Sequence, residues 1–351
     1  MSTLADFLPW QREYATNWLS DRERFAHAWL IHGLAGIGKR TFALAAAASL
    51  LCEKPHNAMA CGACLACGWL ASGNHPDFRR VRPEAVAQEE GDVPEEGGAT
   101  QKTPSKEIRV EQIRALSGWF NTATHRGGWR VAVVYPAQAM NHITANALLK
   151  VLEEPPPRTV FLLSTDAPDL LLPTIVSRCR RLPLSVPPFA EAADWLQDQG
   201  LQNPEEWLAA AGGAPLRALK LSQTAEAPCP PWLQGFLTEL AQDSSTNDAW
   251  MAAADALDGL EAAIWIDALQ RAFVDFSLVA AGAPARYFPA QLPAMKKIAA
   301  RSDSAQLSET MKWLSRQRAV AGHPLSPKLF VQSVLQRCAI ACGSASGREK
   351  A

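Results

Sequence analysis

The sequence has no apolar run that could cross a bilayer. Its longest, Phe42 to Cys52, falls well short of the ~20 residues a spanning helix needs. No basic region followed by an apolar core opens the chain, and MSTLADFLPWQREY does not read as a signal peptide. There is no excess charge of either sign: Lys+Arg 34 against Asp+Glu 35 gives a net charge of −1. That excludes a global basic field as the means of holding nucleic acid and leaves only local patches. No internal repeats are visible, which excludes a solenoid. These absences predict a cytoplasmic globular protein without membrane association. Its 351 residues suggest two or three domains. A composition of 48% hydrophobic and 20% charged residues is ordinary for such a chain and supplies a sizeable core.

Two narrower absences say more. GLAGIGKRT, Gly33 to Thr41, nearly matches the phosphate-binding pattern G-x-x-x-x-G-K-[ST]. Gly33, Gly36 and Gly38 let backbone N–H groups approach a phosphate at a helix N-terminus. Lys39 is placed for the β and γ phosphates. The hydroxyl that should ligate magnesium is missing: Arg40 stands there, and Thr41 arrives one place late. AWLIH before the loop reads as a buried strand, and FALAAAASLLC after it as a helix, which is the context a phosphate loop requires.

The second absence is acidic. NTPases of this type place an Asp at the end of a buried strand to hold magnesium, often followed by a Glu that activates water. VAVVYPAQAM is the one good candidate strand, and Tyr135-Pro136 occupies those two positions. Tyr is a poor metal ligand at neutral pH and Pro has no side-chain base. With Arg40, three positions that hydrolysis needs are wrong together, so hydrolysis is expected to be lost.

Cys52, Cys61, Cys64 and Cys67 follow the spacing C-x8-C-x2-C-x2-C. Four thiolates this close can close a tetrahedral, structural zinc site. An iron–sulfur cluster is the rival, although the ferredoxin run is only half matched. Free thiols or disulfides are the third possibility. The cluster also keeps the Cys content compatible with a reducing compartment.

Strands are predicted at Ala28 to His32, Asp77 to Arg82, Arg130 to Tyr135 and Thr159 to Thr165, with helices between them at Ile108 to Phe120 and Thr144 to Glu154. Alternation of this kind implies a doubly wound parallel sheet. Residues 83–101 carry Glu84, Glu89, Glu90, Asp92, Glu95 and Glu96 with no Lys or Arg, and read as a disordered acidic surface loop over 83–105. Past Leu182 only helices are expected. Asn203-Pro204-Glu205-Glu206 reads as a capped helix start. The expected organisation is an α/β domain over 1–168, a small helical domain over 169–226, a larger helical domain over 227–345 and a disordered tail over 346–351. Ser177-Arg178-Cys179 follows LLLPTIV. An Arg at a subunit edge can act in trans on a neighbour's phosphoryl group, and a solvated surface Arg is the alternative.

GLAGIGKRT, the four cysteines, NALLKVLEEPPP, FLLST and SRC occur in this order, and the set resembles the bacterial clamp-loader AAA+ family of DNA polymerase III, its γ/τ and δ′ subunits. The resemblance covers nearly the whole chain apart from the acidic loop, and the defective magnesium and base positions look like δ′ rather than γ/τ. It implies a helical lid domain and a C-terminal collar, in which HPLSPKLFVQSVL would be the final helix. It implies a non-hydrolysing δ′ role in a hetero-pentameric ring with γ/τ and δ, loading the sliding clamp on primed DNA as part of the DNA polymerase III holoenzyme. It implies that Arg178 is an arginine finger for an adjacent γ/τ ATP site, that the zinc is structural, and that Ser164 or Thr165 stands at a phosphate-sensing position. Two points stay open. The intact glycines and Lys39 allow Mg²⁺-free ATP or ADP to sit in the cleft, and Arg217 in GGAPLRALKL falls one place from the family's second sensor. The alternatives are an active γ/τ-type ATPase, which lacks a magnesium ligand here, and a zinc-bearing DNA-binding protein, which leaves LLKVLEEPPP unexplained.

Overall fold

Apolar runs form three strands of a five-stranded parallel sheet, and two shorter arginine-bearing segments complete it. These are β1 (Ala28–His32), β2 (Phe78–Val81), β3 (Arg130–Val134), β4 (Thr159–Thr165) and β5 (Arg180–Pro183), in the order β2-β3-β4-β1-β5. Every residue of β3 and β4 is buried, as strands covered by helices on both faces must be. Leu30 lies beside Leu163, and Val133 beside Leu162. The computed structural model describes residues 4–21, 25–92, 103–120, 124–125, 128–242, 246–322 and 326–343.

The chain divides into two compact units, Met1–Pro188 and Phe189–Ala351. The first holds the sheet and helices α1 (Arg12–Leu19), α2 (Lys39–Leu51), α3 (Leu65–Ala71), α4 (Glu84–Glu89), α5 (Val110–Phe120), α6 (His142–Glu153) and α7 (Pro173–Arg178). The strand β5 is not anticipated by the sequence: RRLP is short, exposed at three of four positions and has no apolar alternation. Pairing with β1 defines it. It lies past residue 168, so the sheet-bearing unit extends to Pro188. The acidic stretch is also corrected. Glu84–Glu89 is a helix rather than a disordered loop, and the charges around it are neutralised by arginines on neighbouring elements. Residues 93–102, the rest of that stretch, lie outside the described residues.

The second unit is helical: α8 (Phe189–Asp198), α9 (Pro204–Ala210), α10 (Pro215–Thr224), α11 (Pro231–Leu240), α12 (Thr246–Ala256), α13 (Ala262–Ala280), α14 (Leu292–Arg301), α15 (Ser304–Val320) and α16 (Pro327–Cys342). It contains two cores. Ala192, Leu196, Leu208 and Ala218 form the smaller, and Trp265, Phe273, Phe276, Val334 and Leu335 belong to the larger. Helices α12 and α13 are separated by a break at which Gly259 takes φ 79°. Asn203 precedes α9 as expected, but it sits in the left-handed region at φ 52° and its side chain makes no capping bond. The tail expected at 346–351 lies outside the described residues. Among the described residues no helix is long and apolar enough to cross a membrane.

Asp275, fully buried on α13, accepts backbone N–H bonds from Arg286 at 2.7 Å and Phe288 at 2.8 Å, and from Tyr287 at 3.1 Å. Removing the carboxylate leaves three backbone donors, that of buried Phe288 among them, without this acceptor. Asp275→Ala is expected to cost roughly 2–4 kcal/mol, read as a drop in the melting temperature of the full chain.

Candidate functional site

The loop between β1 and α2 has the backbone of a phosphate loop. Gly33, Gly36 and Gly38 take φ of 154°, 84° and 93°. A Cβ on Gly33 would lie 2.4 Å from the Leu184 carbonyl oxygen, and one on Gly38 would lie 2.3 Å from Leu8 Cδ1, so both positions require glycine. The loop is already engaged by its own chain. Gln11 Nε2 donates to the carbonyls of Ile37 at 3.1 Å and Gly38 at 3.2 Å. Lys39, 4% exposed, donates to the Gly33 carbonyl at 2.9 Å and the Leu34 carbonyl at 2.6 Å, and pairs with Asp166 just past β4. Burial pushes the Lys39 ammonium down from its usual range and Asp166 opposes that shift. An ammonium has three donors, and all three are taken. Thr41, the third residue of α2, lies half-buried.

The two positions that should hold magnesium meet at one carboxylate. Arg40 Nη1 reaches Glu90 Oε1 at 3.2 Å, and the Tyr135 hydroxyl donates to Glu90 Oε2 at 2.9 Å. Arg82 Nε lies 2.9 Å from the same oxygen. Burial raises the Tyr135 phenol well above its usual range, Arg82 opposes this and Glu90 reinforces it, so Tyr135 is a neutral donor and not a ligand for a cation. As arranged, the donor set does not fit a magnesium nucleotide: Lys39 is spent, and a carboxylate joins the two metal positions.

At the end of β4, where the resemblance implies a sensing residue, the Thr165 hydroxyl donates to Gln138 Oε1 at 2.7 Å and accepts from the Ala167 N–H at 3.1 Å. Ser164 and Thr165 are both buried, and the Thr165 hydroxyl is engaged by local polar groups. Arg178 ends α7, with 35% of its side chain exposed. Its guanidinium donates to Glu153 at 2.5 Å and to the Thr174 carbonyl at 3.0 Å. Arg217 is held in the helical unit by Asp267 at 2.7 Å, a carboxylate that also takes Arg271 and Arg318. That gives Arg217 a structural occupation. Sequence reasoning did not find Glu90, Asp166, Gln138 or Glu153. Asp166 could have been found as an acid next to FLLST, and Glu90 from Arg80 and Arg82, which alternate across the end of β2 just before the acidic run.

Cys52, Cys61, Cys64 and Cys67 converge, with all four Sγ atoms within 4.8 Å of one another. Cys52 and Cys64 are 3.9 Å apart, and Cys64 and Cys67 3.5 Å. Four sulfurs at about 2.3 Å from a tetrahedral zinc lie about 3.8 Å apart, so the cluster fits the ion. Cys52 follows the last turn of α2, and Cys64 and Cys67 flank the start of α3. Backbone N–H groups also point at the sulfurs, Cys61 N lying 3.3 Å from Cys52 Sγ, as thiolate ligands require.

A glycine loop joining a central parallel strand to a helix, with the ends of β3 and β4 beside it and a helical unit following, defines a phosphate-loop α/β protein of the AAA+ class. Residues 14–188, almost the whole sheet-bearing unit, match the family described as DNA polymerase III, delta subunit. A DNA polymerase III subunit delta' of Pseudomonas aeruginosa is 42% identical over 222 residues, 62% of either chain. That of Escherichia coli K12 is 35% identical over 200 residues, 56% of this chain and 54% of the relative. These matches support the delta' clamp-loader family for the sheet-bearing stretch, residues 14–188. It is also 33% identical to the subunit tau of Escherichia coli K12 over 156 residues, 44% of this chain and 21% of that one. The matches thus span less than two thirds of these curated relatives. Among solved structures, a DNA polymerase III gamma subunit-related protein of Thermotoga maritima aligns over 95% of this chain and 99% of its own, at 16% identity and TM-score 0.40. So loose a likeness adds nothing to the assignment.

Proposed function

We propose that this chain is the δ′ subunit of a DNA polymerase III clamp loader, a non-hydrolysing member of a hetero-pentameric ring with γ/τ and δ that places the sliding clamp on primed DNA. The observation that carries the reading is the Glu90 carboxylate joining Arg40 and Tyr135, in a chain of this family: both metal positions are occupied by groups that cannot hold magnesium. Arg178 is the residue through which it acts on a neighbouring γ/τ ATP. It ends α7 partly exposed, and its ion pair with Glu153 is exposed as well, so little stabilisation is lost in turning the guanidinium outward. A cation delivered to the γ-phosphate stabilises the charge that develops there. The four-cysteine cluster would hold zinc and clip the end of α2 to the start of α3, away from the chemistry.

The reading of an active γ/τ-type ATPase draws support from the tau match. It would have to recruit Glu90 or Asp166 as its acid, and both are tied up in ion pairs. The test is ATP turnover. The purified chain is expected to release no phosphate above background, and to raise turnover when added to γ/τ and δ with clamp and primed DNA. Turnover by the chain alone would overturn the reading.

A further inference from the structure

Side chains from four parts of the sheet-bearing unit meet at Glu90. Arg40 comes from the first turn of α2, Arg82 from just past β2 and Tyr135 from just past β3, at 3.2, 2.9 and 2.9 Å from the Glu90 carboxylate. Only 12% of the Glu90 side chain is exposed, a burial that acids tolerate only when paired. Arg80 joins from β2, reaching Glu90 at 3.5 Å and Asp92 at 2.9 Å, and Arg82 also pairs with Asp92. The other end of the segment is pinned as well: Glu84 lies 3.0 Å from Arg109 and accepts from the Ser105 N–H at 3.1 Å. Such an arrangement is more than a solvated acidic face. It is a short helix tied down at both ends, with one carboxylate set where a working site of this type keeps its metal.

The charges give it a consequence. Lys39, Arg40, Arg80 and Arg82 pair with Glu90, Asp92 and Asp166, four positive charges against three negative. Without Glu90 and Asp92 the same place would present a strongly cationic pocket at the end of a glycine loop, suited to a polyphosphate without any metal. We propose that Glu84–Asp92 is a built-in anion plug: Glu90 and Asp92 stand in for a ligand's negative charge on Arg40, Arg80 and Arg82, and so close the degenerate loop against Mg²⁺-free nucleoside polyphosphates. The inference rests on the degenerate-loop reading of this site and not on assembly into a ring.

The experiment uses the full chain and a fluorescent ATP analogue, titrated once in EDTA and once in magnesium. Glu90→Gln keeps the shape and removes the charge. It is expected to bind the analogue in EDTA at least tenfold more tightly than the wild type, with a further gain in Glu90→Gln/Asp92→Asn, and adding Arg40→Ala should cancel the gain. Tyr135→Phe removes only one hydrogen bond on Glu90, so it keeps the test alive if the charge variants do not fold. Its expected gain is two- to threefold. Cooperatively folded variants with wild-type affinity in EDTA would overturn the plug. Tight, magnesium-dependent binding by the wild type would instead overturn the degenerate-loop reading, and the plug with it.

Discussion

In a reconstituted loader, Arg178→Ala is expected to leave this chain folded and assembled and to cut ATP turnover at the one neighbouring site it serves by roughly 10²–10³. An arginine supplied in trans to a phosphoryl transfer is worth about 10³–10⁵ in the best-studied case, which bounds the single-site effect from above; bulk turnover falls only by this one site's share wherever the other sites keep their own rates. The fold should not suffer. The guanidinium contacts Glu153 and the Thr174 carbonyl at the surface, and an exposed pair contributes ~0–1 kcal/mol. The rate should fall through the chemical step, with nucleotide affinity at the neighbouring site little changed, because the cation acts on charge that develops only in the transition state. Arg178→Lys is expected to recover only part of the loss, since an ammonium lacks the planar fork. Single-turnover ATP hydrolysis by complexes in which only this subunit is varied is the measurement. A wild-type rate there would remove the finger and leave Arg178 as the partner of Glu153.

Much of the site was legible because its signals are local. A buried strand, spaced glycines and a helix in direct succession specify the loop from β1 to α2, and nothing distant is needed to read it. The same holds for the cysteines: Cys61, Cys64 and Cys67 lie within a few residues of one another, and Cys52 sits at the end of a helix whose length is set by its apolar run. The strand β5 was not legible because its two arginines and its Pro carry no alternating pattern. It exists through hydrogen bonds to β1, a partner far away in sequence. Glu90 was not legible for a related reason. An acidic run with Gly and Pro satisfies the composition of disorder, and its partners Arg40, Arg82 and Tyr135 are brought to it only by the folded sheet. The three positions that mark the site as defective can be read from single residues, while the group that joins two of them is seen only in the structure.

Cys64→Ser is expected to abolish metal binding and to lower the melting temperature of the sheet-bearing unit by about 10 °C or more without unfolding it outright. Structural zinc contributes roughly 10–16 kcal/mol of apparent binding free energy in small fingers that have no other core. Here α2 is held independently by its buried face, with Phe42, Ala43, Ala46 and Ala47 wholly buried, so the metal's share falls mainly on the segment from Cys52 to α3. A serine hydroxyl is not a thiolate at neutral pH, and three remaining sulfurs leave an open, weaker site. The thiols themselves indicate how the metal enters. Burial raises the Cys64 thiol, but backbone N–H groups of Cys67 and Glu53 and the neighbouring thiols outweigh it and bring it down to about 6, whereas burial holds Cys67 well above its usual range. Binding must displace protons from thiols held above their usual range, Cys52 and Cys67. Affinity should then weaken as pH falls, each displaced proton costing a factor of about ten per pH unit. Elemental analysis of the purified wild type is expected to give one zinc per chain with no visible absorption, and Cys64→Ser to give none. A brown, iron-containing wild type would replace zinc with a cluster, and a metal-free wild type melting at the same temperature as Cys64→Ser would leave four thiols with no ion to hold.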